Sequence, residues 1–180
     1  MKVINIYTDG ACSGNQHDEN IGGWGAILEY GPHKKELYDG AINTTNNKME
    51  FLAVAKSLST LTKEGQIINI YSDSSYLVEC FTKKWYVKWQ SNGWINSQKK
   101  PVENKDLWVS ILDSVSKHNV VNFYRVKGHI NINNNSEVNK WYKKFVGWNG
   151  SHYTLDDYLY ITKMNIRADE LANIGMAQYR

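Results

Sequence analysis

Two aspartates follow similar apolar runs, and this repetition is the first indication of a chemical site. The stretch Val3–Asn15 reads V-I-N-I-Y-T-D-G-A-C-S-G-N and places Asp9 after an apolar, β-branched run. The stretch Ile67–Asp73 reads I-I-N-I-Y-S-D and places Asp73 in the equivalent position. Such runs are typical of strands buried on both faces, and ligands bind where the carboxyl ends of parallel strands meet. The pair predicts a shared pocket, although either aspartate alone could simply cap the end of a strand.

Three further residues could contribute to the same chemistry, and each also has an ordinary structural explanation. Glu50 falls in the first turn of a predicted helix, where an acid complements the helix dipole. Asp169 lies in a helical pattern at Asn165–Asn173 and could be a plain exposed residue. His129 follows a predicted strand in a glycine-flanked loop, where a solvated histidine is the default. Residue type alone therefore does not assign any of the three.

The order of the predicted elements explains how the two aspartates could meet. The first strand, a second at Gly22–Tyr30 and a third at Lys35–Ile42 form an antiparallel meander. A cluster of capping residues at Asn43–Asn47 starts a helix. That helix leads to the strand at Ile67, and a strand reached by a helical crossover can lie parallel to the first. Parallel pairing would set Asp9 beside Asp73.

The second half of the chain continues the alternation of helices and strands. We predict a short helix at Ser74–Phe81, a helix spanning Leu107–Val115 and a fifth strand at Val120–Val126. The order β-β-β-α-β-α-β-α indicates an α/β fold with a five-stranded mixed sheet flanked by helices. The 180 residues suit a single domain, 1–180, interrupted by a weakly periodic segment at about 130–164 before the last helix.

Composition limits the location and the partners of the chain. No apolar run is long enough to span a membrane, and the N-terminus lacks the apolar core of a signal peptide. Cys12 and Cys80 are too few for a disulfide framework, so we expect a reduced, cytoplasmic protein, and nothing indicates more than a monomer. The net charge of +3 permits a polyanionic partner.

The segment Lys83–Lys105 crowds lysines with tryptophans, which is typical of a surface that binds nucleic acid. The alternative is an amphipathic helix and loop with the tryptophans turned inward, and both descriptions can hold together.

Five motifs together resemble type 1 ribonuclease H. They are D-G-A-C-S-G-N at Asp9, T-T-N-N-K-M-E ending at Glu50, S-D-S-S-Y at Asp73, V-K-G-H ending at His129 and N-I-R-A-D-E-L-A around Asp169. They occur in the family's order and on the expected elements, and the resemblance covers nearly the whole chain except 130–164. It implies a ribonuclease H-like fold.

The resemblance also implies an activity, a metal and catalytic residues. Members of the family are endonucleases that cleave the RNA strand of RNA/DNA hybrids and leave 5′-phosphate and 3′-hydroxyl ends. Four carboxylates surround two magnesium ions, and by motif position these are Asp9, Glu50, Asp73 and Asp169. Magnesium prefers hard oxygen ligands, with Mn²⁺ as an alternative. His129 would have an auxiliary role in proton transfer or product release, important but not indispensable.

Substrate contacts follow from the same motif positions. The matching residues are Cys12, Asn15, Thr45, Asn46, Asn47 and Trp85. Cys12, Asn15 and Asn46 would approach the RNA minor groove, where the 2′-hydroxyl distinguishes RNA from DNA. Asn47 and Trp85 would face the DNA strand, and Thr45 a DNA phosphate. For Asn46 and Asn47 the alternative is plain helix capping.

The chain departs from the family pattern in three places. Ser75 and Glu79 stand where familiar bacterial members carry glutamines, and Gln90-Ser91-Asn92 dilutes the basic segment. The third departure is the long connection at 130–164. Its Lys140–Lys144 run and Trp148 could form an added grip on the hybrid; equally, Trp141, Phe145, Trp148 and Tyr153 could form a small satellite core. Two other functions remain open, namely a non-catalytic hybrid-binding domain and another nuclease of the same fold.

Overall fold

A five-stranded mixed sheet forms the centre of the molecule, as predicted. The computed structural model describes residues 3–13 and 20–180. The strands are β1 (Val3–Ser13), β2 (Ile21–Tyr30), β3 (His33–Ile42), β4 (Ile67–Ser72) and β5 (Val120–Arg125). The helices are α1 (Asn46–Thr60), α2 (Ser75–Thr82), α3 (Trp85–Ser91), α4 (Lys105–Ser116), α5 (Asn135–Asn149) and α6 (Leu155–Ala177). The strand order is β3-β2-β1-β4-β5, with β1, β2 and β3 antiparallel and β4 and β5 parallel to β1.

The parallel register sets the two aspartates next to each other. The β1–β4 ladder runs from Val3 opposite Ile67 to Thr8 opposite Ser72. Asp9 and Asp73 are the next residues on each side, and both follow the last pair of this ladder. Because side chains alternate between the two faces of a sheet, both carboxylates leave the same face. The predicted juxtaposition therefore follows directly from the register.

Below the aspartates, the same face carries two layers of identical side chains across the parallel strands. Asn122 donates to Asn69 at 3.0 Å, and Asn69 donates to Asn5 at 3.5 Å. One layer closer to the aspartates, the rings of Tyr7, Tyr71 and Tyr124 are stacked, with successive centroids 5.3 Å apart. These matched layers fix the register, since a slip of one residue would turn every side chain to the other face.

The first strand continues beyond Asp9, whereas the sequence pattern predicts that the strand ends there. Asp9 lies opposite Gly25, and pairing with β2 continues to Ser13 opposite Ile21. Only the parallel ladder ends before Asp9, because β4 stops at Ser72 while β2 provides ten residues of antiparallel partner. The sheet therefore opens on one side of Asp9 alone.

Helices cover both faces of the sheet. On one face, α1 and α4 bury a core that includes Phe51 and Trp108, which are 1% and 0% exposed. On the other, α5 and α6 enclose a second core that contains Phe145 and Tyr158. Here α6 packs so closely on the backbone of β2 that a Cβ at Gly25 would come within 2.6 Å of the Leu171 Cβ. Glycine thus sets the depth at which the helix carrying Asp169 rests.

The segment 130–164 is more regular than its composition predicted. It contains all of α5, and α6 begins at Leu155, ten residues before the predicted start at Asn165. Thr154 accepts a bond from the Asp157 backbone at 3.1 Å, and the Asp157 carboxylate accepts one from the Thr154 backbone at 2.9 Å. This reciprocal capping box fixes the start of α6.

No helix within residues 3–13 and 20–180 combines the length and the apolar character that crossing a membrane requires.

We predict that Gly25→Ala destabilises the protein by about 1–3 kcal/mol, because the new methyl group must displace α6 from the sheet. Thermal unfolding followed by circular dichroism measures the change in melting temperature. Gly147→Ala is the matched control, since a Cβ there would meet no atom of the described residues within 4 Å. Alanine in that helix should be neutral or slightly stabilising. Equal melting temperatures for the two variants would contradict the close approach.

Candidate active site

Three carboxylates from different elements converge at the open end of the parallel ladder. Asp9 comes from β1, Glu50 from α1 and Asp73 from the end of β4, and one oxygen of each lies within 4.8 Å of the others. Glu50 is the fifth residue of α1 and is buried, so it does not serve as an exposed first-turn acid. The arrangement is a compact group of oxygen donors.

The backbone around Gly10 holds two of these carboxylates in place. The Gly10 N–H donates to Glu50 Oε1 at 2.8 Å and to Asp9 Oδ1 at 2.9 Å. A Cβ at Gly10 would come within 2.5 Å of the Glu50 backbone nitrogen, so only glycine lets α1 approach β1 this closely. The Ser72 hydroxyl donates to the other Glu50 oxygen at 3.4 Å.

Burial raises the pKa of all three carboxyl groups, and repulsion within the group adds to it at Asp9 and Glu50. The pKa of Asp9 is raised to about 12, mainly by desolvation and also by the charges of Asp73 and Glu50. The pKa of Glu50 is raised to about 8, again mainly by desolvation and also by the charge of Asp73. The pKa of Asp73 is raised as well, again mainly by burial. Three crowded carboxyl groups in a buried, all-oxygen site would repel one another as anions, and such a site is suited to hard divalent cations such as Mg²⁺.

Asp169 and His129 line the same cleft but stand outside the compact group. The cleft has a volume of about 690 Å³. Asp169, from α6, is near enough for its charge to raise the pKa of Asp73, while the positive charge of His129 lowers it. His129 is exposed and adopts a left-handed backbone conformation with φ of 59°. Such conformations are uncommon outside glycine and occur often at functional sites.

Three of the predicted substrate contacts line the cleft beside the carboxylates, namely Cys12, Asn46 and Asn47. Thr45 is the N-cap of α1 and accepts a bond from the Lys48 backbone at 3.1 Å. Asn46 and Asn47 are therefore helical residues, and the prediction that they might cap the helix is wrong. Asn15 lies outside the described residues.

Trp85 lies in a second groove, on the basic segment. This groove has a volume of about 600 Å³ and is lined by Tyr76, Lys83, Lys84, Trp85, Lys88, Trp89, Ile95, Asn96 and Ser97. Lys83 Nζ lies 5.8 Å from the centre of the Trp85 ring. The segment combines inward-facing tryptophan with a basic surface, because Trp89 packs against the core while the lysines are exposed.

Sequence reasoning missed two basic residues of the cleft, Arg125 and Lys127. Arg125 is the last residue of β5 and Lys127 belongs to the V-K-G-H motif that follows, and this position was the available signal. Of the two residues that replace the family's glutamines, Ser75 lines the cleft, whereas Glu79 forms an ion pair with Lys83 at 3.7 Å.

Known proteins resemble this chain in sequence and in fold. The RNase H family model matches residues 1–146. Ribonuclease H of Symbiobacterium thermophilum is 46% identical over 140 residues, which are 78% of this chain and 92% of that protein. Ribonuclease H of Clostridium botulinum is 44% identical over 140 residues, with coverages of 78% and 93%.

Solved structures extend the likeness to the end of the chain. LC9-RNase H1, a type 1 RNase H with the type 2 active-site motif, has a TM-score of 0.67 at 21% identity and covers 98% of this chain and 73% of its own. LC11-RNase H1 in complex with RNA/DNA hybrid has a TM-score of 0.56 at 19% identity, with 98% coverage of both. At these identities the likeness concerns the fold. It includes α6, whereas the family model ends within α5 and does not reach Asp169.

We predict that Asp9→Asn stabilises the metal-free protein. Because the pKa of Asp9 is higher in the folded state than in the unfolded chain, above about pH 4 the unfolded chain loses this proton while the folded protein keeps it, so the free energy of unfolding falls as the pH rises. We expect a gain of about 1–3 kcal/mol near pH 8 that shrinks toward pH 4–5. Chemical unfolding in EDTA at both pH values measures it.

Glu64→Gln is the control, since Glu64 is exposed and outside the cleft. The free energy of unfolding of this variant should equal that of the parent at both pH values. A destabilised Asp9→Asn protein near pH 8 would show that the carboxylates do not repel one another as described.

Proposed function

The chain belongs to the ribonuclease H family and is a ribonuclease H, and on this premise we propose that it hydrolyses the RNA strand of RNA/DNA hybrids by a metal-dependent mechanism. The observation that carries the proposal is the convergence of Asp9, Glu50 and Asp73 at the open end of the sheet. We further propose that residues 1–180 form one ribonuclease H domain, with α5 inserted before the last helix, and that the protein acts as a cytoplasmic monomer.

The carboxylates have the proposed role of holding the metal. Asp9, Glu50, Asp73 and the more peripheral Asp169 would bind two Mg²⁺ ions, or Mn²⁺ in their place. Bound there, such ions would supply an activated water and would stabilise the departing 3′ oxygen, giving 5′-phosphate and 3′-hydroxyl ends. Raised pKa values make the empty site prefer protons, so the ions compete with protons for it.

His129 is proposed to move protons at the rim of the cleft. Imidazole changes its charge near neutral pH and can therefore exchange protons with the substrate or the product. Its exposed loop lies beside Asp73, which allows it to approach the scissile phosphate without occupying the compact group. Because His129 is not among the crowded carboxylates, its loss should slow the reaction without abolishing it.

Selection between RNA and DNA is assigned to polar groups on the cleft wall. The Asn46 amide and Cys12 border the carboxylates, where the RNA strand must lie for cleavage. Amide groups both donate to and accept from a 2′-hydroxyl. Asn47, Thr45 and Trp85 are proposed to face the DNA strand. The groove of Trp85, with its exposed lysines, suits a phosphate backbone beside an aromatic ring.

The test is a cleavage assay on three substrates of the same sequence, namely hybrid, duplex RNA and duplex DNA. We expect cleavage of the hybrid alone, only with Mg²⁺ or Mn²⁺ and not in EDTA. Asp9→Asn should lower the rate by more than about 100-fold, since even outer-shell changes at metal sites cost 10–100-fold. Equal cleavage of duplex DNA would indicate another nuclease of this fold. Tight hybrid binding without cleavage would indicate a non-catalytic domain.

A second prediction concerns His129→Ala. We expect kcat to fall by about 10–100-fold, less than the full general acid–base contribution of about 10²–10⁴-fold. Single-turnover rates on the hybrid separate the chemical step from product release. His33→Ala, at the exposed start of β3 and outside the cleft, is the control and should match the parent. A complete loss of activity in His129→Ala would contradict an auxiliary role.

A further inference from the structure

The outer face of α5 carries a cluster of cations arranged around two tryptophans. We define the α5 patch as Arg125, Lys127, Lys140, Trp141, Lys144 and Trp148. The rings of Trp141 and Trp148 are 6.2 Å apart. Lys144, Lys140 and Lys127 place their ammonium groups 4.6, 5.1 and 5.2 Å from the centre of the Trp141 ring. The Arg125 guanidinium lies 4.0 Å from the centre of the Trp148 ring.

Within residues 3–13 and 20–180, none of the four cations of the α5 patch forms an ion pair with a carboxylate. The three ammonium groups around Trp141 lie within roughly 10 Å of one another, where each pair repels by about 0.4 kcal/mol in water. A polyanion placed over the ring would replace this repulsion with attraction. The patch therefore has the electrostatic character of an anion-binding surface.

The inner face of α5 holds the patch in a fixed position. Phe145 is 1% exposed and Tyr153, just beyond the helix, is 7% exposed; both pack in the second core. The Asn149 side chain also donates to the Arg125 carbonyl at 2.7 Å and accepts from the Arg125 N–H at 3.0 Å. The predicted core of this segment is thus found for Phe145 and Tyr153, whereas Trp148 lies outside it and is 37% exposed.

The α5 patch is continuous with the catalytic cleft. Arg125 and Lys127 line the cleft and also contact the two tryptophans of the patch. A basic surface therefore runs from the carboxylates across the end of β5 to α5. When a phosphate of a duplex lies in the cleft, the adjoining phosphates of the same duplex can therefore reach this basic surface.

We propose that the α5 patch binds the phosphate backbone of the hybrid beyond the cleft, as an extension of the substrate site; this rests on the proposed function. Lysine and arginine side chains contact phosphates without regard to sequence, so the patch should add affinity rather than specificity. Trp141 and Trp148 keep the cationic groups together through cation–π contacts. The basic groove of Trp85 is a separate surface, on α3.

The test uses Lys140→Ala/Lys144→Ala and hybrids of two lengths. One hybrid has roughly one helical turn, ~10 base pairs, and the other roughly three turns, ~30 base pairs. For the longer hybrid we expect KM and Kd to rise about 10-fold, with the slope of log Kd against log salt reduced by about 1–2. The loss should be clearly smaller for the shorter hybrid. Fluorescence anisotropy in EDTA gives Kd, and initial rates in Mg²⁺ give KM.

Two further variants separate charge from structure. Lys140→Arg/Lys144→Arg keeps both charges and should retain the parent's affinity. Lys56→Ala/Lys63→Ala removes the same net charge from exposed positions outside the cleft and the patch, and should behave as the parent. Thermal unfolding checks that all three variants fold.

Several results would overturn the proposal. These are equal affinities of Lys140→Ala/Lys144→Ala and the control for the long hybrid, an equal loss at both lengths, or an arginine variant as weak as the alanine variant. Lysine-dependent binding of polyglutamate, with hybrid affinity unchanged, would assign the patch to an acidic protein instead. If the parent failed to cleave hybrid, the proposed function would fail, while anisotropy would still decide whether the patch binds it.

Discussion

The structure depends on a rigid parallel ladder that forces like charges together. Asp9 and Asp73 follow the last pair of the β1–β4 ladder, and Glu50 joins them from α1. The free protein would relax this repulsion if the strands could slide or splay apart. They are prevented by the asparagine and tyrosine layers below the site and by the Gly10 N–H, which binds two of the carboxylates. The crowding of these carboxyl groups is therefore retained in the fold, as the proposed binding of divalent cations requires.

The three parallel strands share a sequence pattern but differ in the residue that follows it. Asn-x-Tyr occurs at the same level of β1, β4 and β5, and the next residue on this face is an aspartate in the first two strands. In β5 that position is Val126, which is buried in the second core. An acid there would add another charge at the ladder's end. Instead, β5 leads into the loop of His129, which brings a positive charge to the same cleft.

Sequence reasoning was successful where the physical signal was local and repeated. The matching runs before Asp9 and Asp73 predicted the parallel pair, and the five-stranded α/β fold is confirmed. The early start of α6 was missed because its capping box uses Asp157, where glutamate or glutamine is the usual signal. The peripheral position of Asp169, and the meeting of Lys127 with Trp141, depend on how helices pack, which no local pattern encodes.

The position of α5 explains how a long segment can enter before the last helix without disturbing the site. Asn149 occupies both backbone hydrogen-bonding groups of Arg125 on β5, the last strand of the sheet, and a covered edge is less prone to pair with other chains. After α5, the capping box at Thr154 fixes the residue at which α6 begins. Glycines of β2 then fix the depth of α6 against the sheet, independently of the length of the preceding connection. Asp169 therefore lies at the cleft because the packing of α6 against β2 determines where this carboxylate is placed. The length of the connection before α6 does not.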